Sequence, residues 1–179
     1  MLWAVTGFDL RGDFDACDRI PQKFLYIMLK LADIVVHSPD DNLQLVVEVK
    51  NKTEAGAAWA AQMRRNLFAH SILPQSPFFL LALPDRLYLW KDGASSTTVM
   101  PPDYEIDSLP FFAPYLMDTN LSLDDLSESS LELVVKSWLN DVVNADLTEQ
   151  TAASHEKWLF DSGLYRAIRN GSVKSAVSS

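Results

Sequence analysis

The chain has 179 residues, 48% of them hydrophobic and 22% charged. That is the size and composition of one globular domain, with or without an appendage, and not of a disordered chain. Fifteen Lys and Arg against 24 Asp and Glu leave a net charge of −9. This balance speaks against a basic, tail-driven nucleic-acid binder and leaves room for an acidic metal-dependent enzyme, whose clustered carboxylates need a cation. The lone Cys17 leaves no partner for an internal disulfide and no set for a structural zinc site, and it suits a reducing cytoplasm. The apolar run Phe78 to Leu83 is six residues long, too short to cross a bilayer. The N-terminal residues lack a basic start followed by a long apolar stretch, so neither a secretory signal nor a membrane association is expected.

Residues 1–18, with Asp9, Asp13, Asp15 and Asp18 among two glycines, read as irregular structure. Residues 21–31 place Phe24, Leu25, Met28, Leu29 and Leu31 at helical spacing behind Pro21, which predicts a short helix and leaves a strand open. Ala32–Val36 and Leu43–Lys50 read as two strands around the turn Ser38-Pro-Asp-Asp-Asn, a β-hairpin. A helix is predicted from Glu54 to His70, with Thr53 as its N-cap. Phe78–Leu83 is apolar at every position, as in a strand covered on both faces. Arg86–Lys91 alternates, with Leu87 and Leu89 inward. Four prolines punctuate residues 99–116. Ser122-Leu-Asp-Asp then opens a predicted helix to residue 143, with Leu126, Leu131, Val134, Val135, Trp138, Leu139 and Val142 as its apolar stripe. A short helix is predicted from His155 to Ile168. The resulting division is an α/β core over residues 1–118, a helical extension over 119–170 packed on it, and a mobile tail over 171–179.

Chemistry concentrates at the end of the second strand. Side chains two apart on a strand share a face, so Glu48 and Lys50 point one way while Leu45, Val47 and Val49 point into a core. Burying charge at the end of an apolar strand is costly unless the charge is used or paired. If the two strands pair, Asp33 approaches Glu48, and two adjacent carboxylates either share a proton or bind a cation. Asp33, Glu48 and the Val49 carbonyl offer oxygen ligands suited to Mg²⁺ or Mn²⁺. Such an ion polarises a phosphate and activates water, and Lys50 beside it would orient that water or offset transition-state charge. The plainer reading is a solvated strand edge in which Lys50 pairs with Glu48 or Asp33. His37, His70 and His155 lack metal spacing and read as surface or capping residues. Trp138 and Trp158 read as core.

Asp33 followed by Glu48-Val49-Lys50 resembles the acid and (D/E)-X-K element of the PD-(D/E)XK nuclease superfamily. The order strand, turn, strand, helix, strand, strand over residues 32–91 is similar to its common core. The resemblance covers about a third of the chain and implies a restriction-endonuclease-like fold, a small mixed β-sheet flanked by helices. It implies Mg²⁺- or Mn²⁺-dependent hydrolysis of DNA, with Asp33 and Glu48 as metal ligands and Lys50 as catalytic base or charge stabiliser. Ala32 stands where the family often has Pro. Asp9, Asp13, Asp15 and Asp18 are the available acids for the N-terminal helix on which members usually carry one more. Gln62 stands where many members carry a helical Gln, able to bond a metal water or a phosphate, or else to lie on the helix surface. Lys52, Arg64 and Arg65 are candidate phosphate contacts, the two arginines reading more readily as a solvated helix face.

The net charge is unevenly spread. Residues 48–91 carry six basic residues against three acidic, a net of +3, whereas residues 103–161 carry two basic against thirteen acidic, a net of −11. A mildly basic core beside an acidic C-terminal part implies weak, metal-dependent DNA binding through one face. The acidic part would cover that face or bind a basic protein partner, and a homodimer would supply the second site needed to cut both strands. The alternative function is a catalytically inactive binding or assembly module of the same fold.

Overall fold

The computed structural model describes residues 32–70, 73–91, 98–117 and 119–175. The irregular segment expected over 1–18, with its four aspartates, and the short helix expected over 21–31 lie outside them. Strands β1 (Ile34–His37) and β2 (Leu43–Val49) form the hairpin that the alternation predicts. They pair antiparallel, Ile34 opposite Val47 and Val36 opposite Leu45. The turn closes where the Ser38 N–H donates to the Asn42 carbonyl at 2.8 Å. Helix α1 (Ala57–His70) then crosses over to β3 (Phe78–Ala82), which runs parallel to β2, as a connection of this length allows. β4 (Arg86–Lys91) and β5 (Tyr104–Asp107) extend this edge antiparallel, and β6 (Ser172–Ser175) adds antiparallel to β1 at the other. The order is β5-β4-β3-β2-β1-β6, a six-stranded mixed sheet.

Alternation along the central strands sorts their side chains into two cores, so helices cover both faces. Val35, Val46, Phe79, Leu81, Tyr88 and Trp90 pack against α1. Ile34, Leu45, Val47, Leu80, Leu87 and Leu89 pack against α2 (Leu109–Phe112), α3 (Glu128–Asn144), α4 (Lys157–Asp161) and α5 (Leu164–Ile168). The molecule is therefore mixed α/β, with a helical C-terminal part sharing one of the two cores. Among the described residues no helix is long and apolar enough to cross a membrane.

Several elements differ from expectation. Helix α1 begins at Ala57, and Thr53 does not cap it. Glu54 instead takes a positive φ of 56° and donates its N–H to Asp85 Oδ2 at 3.0 Å, which holds the loop out of helical geometry. β4 is buried on both faces, because the polar tips of Tyr88 and Trp90 find the carbonyls of Ala55 and Met100. The Ser122–Asp125 capping box closes a 3-10 turn (Leu123–Asp125), while α3 starts six residues later under a Ser127 cap whose hydroxyl accepts from the Ser130 N–H. The single helix expected over 155–168 is broken by Gly163 at φ 83° into α4 and α5.

Residues 171–175, expected in a mobile tail, include the edge strand β6. This strand is short and carries Lys174, whose ammonium pairs with Asp41 at 3.1 Å. Its approach to β1 depends on Gly171, where a Cβ would lie 2.0 Å from the His37 carbonyl oxygen and 2.7 Å from that of Ile168. Gly171→Ala is expected to cost about 1–3 kcal/mol through this overlap and to release β6. Hydrogen exchange at Val35 and Lys174, opposite each other in the β1–β6 pair, should rise while the β2–β3 amides stay protected.

Candidate functional site

The acidic strand end assembles as the pattern predicts. Continuing the Ile34–Val47 register by one residue sets Asp33 opposite Glu48, and directly opposite side chains share a face of an antiparallel pair. Asp33 precedes β1 and its Oδ2 accepts the Val49 N–H at 2.7 Å, so the carboxylate continues the ladder where β1 has not yet begun. The N–H and carbonyl of a strand residue point to the same side, which aims the Val49 carbonyl toward Asp33 as well. Lys50 donates its backbone N–H to the Ala82 carbonyl of β3 at 3.0 Å, and its side chain returns to Glu48, Nζ to Oε1 at 2.8 Å.

Glu48 is 5% exposed, and its second oxygen, Oε2, is buried without a hydrogen-bond partner. A buried carboxylate oxygen with no donor is costly. Burial above all, with the charge of Asp33 and Glu128 added, pushes the Glu48 carboxyl up to about 7 against the opposing pull of Lys50. Asp33 is likewise raised, by burial first, with the Val49 N–H and Lys50 working against it. Burial acts to lower the Lys50 ammonium, but Glu48, Asp33 and Glu128 together hold it above its ordinary value.

One participant was not read from the sequence. Glu128, at the first turn of α3, places Oε1 3.5 Å from Lys50 Nζ and takes the Asn51 N–H on Oε2 at 3.3 Å. Asn51 in turn donates its side-chain amide to the Leu126 carbonyl at 2.7 Å. The last residues of β2 are thus clamped to the start of α3. Glu132, one turn further along α3, is raised by burial and then by the charge of Asp33. A helix start at 122 hides Glu128; the signal for its position is Ser127-Glu128 itself, a cap followed by an acid at the first turn.

The other sequence candidates fare differently. Gln62 is exposed, and its hydrogen bond runs along its own helix to Asn66 Oδ1 at 3.4 Å. Lys52 is exposed, with its ammonium 5.5 Å from the Trp59 ring centre. Arg65 is half-buried and reaches Asn66 Oδ1 at 3.3 Å. Arg64 is a correction: it is 1% exposed, and its guanidinium lies 4.7 Å from the Phe68 ring centre and 5.6 Å from that of Trp90. It belongs to the α1 core and does not lie on a solvated helix face. Trp138 and Trp158 are core residues, as expected.

A group of three or more His, Cys, Asp or Glu side chains able to hold a metal does not occur among the described residues. The expected donor set is two carboxylates and one carbonyl, which does not need a third such side chain. The orphaned Glu48 Oε2 is the atom that fits it, since an oxygen without a donor can accept a cation. Compared with protein-family models, curated proteins and solved structures, the chain matches none.

Proposed function

We propose that the chain is a cytoplasmic nuclease of the restriction-endonuclease-like, PD-(D/E)XK kind that hydrolyses phosphodiester bonds in DNA with Mg²⁺ or Mn²⁺. Asp33, Glu48 and the Val49 carbonyl would hold the ion, which when bound supplies charge to a phosphate and acidity to a water. The observation that carries this reading is the buried, donorless Oε2 of Glu48, whose strand position lies opposite Asp33 in the β1–β2 register. Such an oxygen destabilises the chain unless it takes up a proton or a cation occupies it. Lys50 is placed to orient the attacking water and to offset charge building on the phosphate. Its contact with Glu128 is the longer of its two and the more exposed, so a substrate phosphate would displace Glu128 and leave the Glu48 pair intact. The site is anionic without metal, so DNA binding is expected to be weak and metal-dependent.

The test is cleavage of plasmid, linear and single-stranded DNA, and of RNA, with each ion. Activity should fall by about 10²–10³-fold or more in Lys50→Ala. Calorimetry should find Mn²⁺ binding to the parent chain and none to Asp33→Ala. No cleavage of any form, together with Mn²⁺ binding unchanged by Asp33→Ala, overturns the reading.

One observation favours the inactive binding or assembly module. The Lys50 ammonium already sits between Glu48 and Glu128 and neutralises part of the charge that a metal would neutralise. On that reading Mn²⁺ does not bind and no nucleic acid is cut.

A further inference from the structure

A groove of about 580 Å³ runs between the β3–β4 turn and the chain from Leu109 to Asp124. Its walls are mostly apolar, and three of the six exposed large apolar side chains among the described residues gather there: Leu109 at 55%, Met117 at 80% and Leu121 at 51%. Scattered apolar exposure is ordinary on a surface, but its convergence on one concavity marks an interaction site. Asp85, Asp107 and Asp124 line the same groove, and no basic residue among the described ones does.

We propose that this groove is the docking site for a short segment of a partner protein that presents Lys or Arg beside one or two large apolar side chains. Charge complementarity selects this occupant. The carboxylates repel a nucleic-acid backbone and an anionic lipid surface alike. A second copy is disfavoured because the chain carries −9 overall. The volume suits a few side chains and not a whole folded domain.

The groove lies at the same end of the sheet as the candidate site. β2 and β3 are parallel, so Glu48–Lys50 and the Pro84-Asp85 turn both lie at C-terminal strand ends, where α/β sheets commonly place ligands. A single segment joins the two. Ser122, Leu123 and Asp124 line the groove, and a few residues on, Leu126 and Glu128 hold Asn51 and Lys50. An occupant of the groove is therefore one turn of chain from the end of β2. Docking itself needs no catalysis, so its failure and that of the nuclease reading are separately visible.

The test pans a random peptide library displayed on phage against the full chain. Enriched peptides are then titrated by fluorescence anisotropy against the parent, Met117→Ser and Asp124→Lys. Both substituted side chains are exposed, so unchanged melting temperatures should verify that the variants fold. Enriched sequences should pair Lys or Arg with Leu, Met or aromatic residues. Affinity should drop about tenfold or more in each variant and weaken with salt. The proposal is overturned if enriched sequences lack basic residues, if both variants bind like the parent, or if nothing is enriched. It is also overturned if sedimentation finds a dimer that Met117→Ser dissociates, which would assign the groove to a second copy.

Discussion

At pH 8 and without divalent metal, Glu48→Gln is expected to unfold at higher denaturant concentration than the parent chain, by about 1–3 kcal/mol, while losing both Mn²⁺ binding and cleavage. Burial raises the folded Glu48 carboxyl from an ordinary 4.5 to about 7. An acid raised on folding contributes most at low pH, where it is protonated in both states, and that stability is lost as pH rises through the folded value. The gap between 4.5 and about 7 corresponds to about 3 kcal/mol. Gln keeps the shape, cannot ionise and offers the buried site an amide. Part of the gain is given back because the 2.8 Å contact of Lys50 loses its opposite charge, leaving Glu128 at 3.5 Å as its ion-pair partner. The parent and variant stability curves should therefore meet below about pH 4.5, diverge as pH rises toward about 7 and run parallel above it. Mn²⁺ should raise the melting temperature of the parent and leave the variant unmoved, since a ligand stabilises only the state that binds it. Parallel curves from pH 5 to 8 would show that Glu48 carries no such strain.

Much of this site is legible in the sequence because strand periodicity is rigid. Once Val46–Val49 is a strand, Glu48 and Lys50 must share a face, and a five-residue turn must bring Asp33 near them. Glu128 is not legible in that way, since a helix start is set by which polar residue wins the capping competition. Ser122 has the better box, but the box closes a 3-10 turn and Ser127 caps the helix. Arg64 escapes for another reason. Charge predicts exposure, whereas aromatic rings at 4.7 and 5.6 Å let a guanidinium lie buried in the α1 core. β6 has four residues, mostly polar, and owes its order to the unpaired edge of β1, a tertiary cause with no local signal. β5 does have one, as Tyr104 and Ile106 alternate with Glu105 and Asp107, but the surrounding prolines obscure it.

The acidic C-terminal part reads in the sequence as an extension of the core, and the largest stability effect is expected from testing whether it is separable. Trp138, on α3, is 4% exposed, with its ring 5.4 Å from Phe111, 5.9 Å from Phe112 and 6.3 Å from Trp158. The same core contains Leu80, Leu87 and Leu89 from the sheet. Trp138→Ala removes an indole from the centre of this layer, and collapse of the surroundings is limited because β3 and β4 are held by hydrogen bonds on both sides. The expected cost is about 3–5 kcal/mol, which in a chain of this size lowers the melting temperature by roughly 6–20 °C. Phe111→Ala should couple to it by about 0.5–1.5 kcal/mol in a double-mutant cycle, the worth of the ring pair itself. The decisive feature is the form of the transition. If α3 covers the sheet as part of one cooperative unit, circular dichroism and tryptophan fluorescence report a single transition that moves as a whole. If residues 119–170 fold separately, part of the signal stays at the parent temperature. A single transition also means that Glu128 sits on the element most sensitive to Trp138, so Trp138→Ala should loosen the clamp on Lys50 and Asn51 well below the melting temperature. The Asn51 amide would then exchange faster while the amides of β3 remain protected.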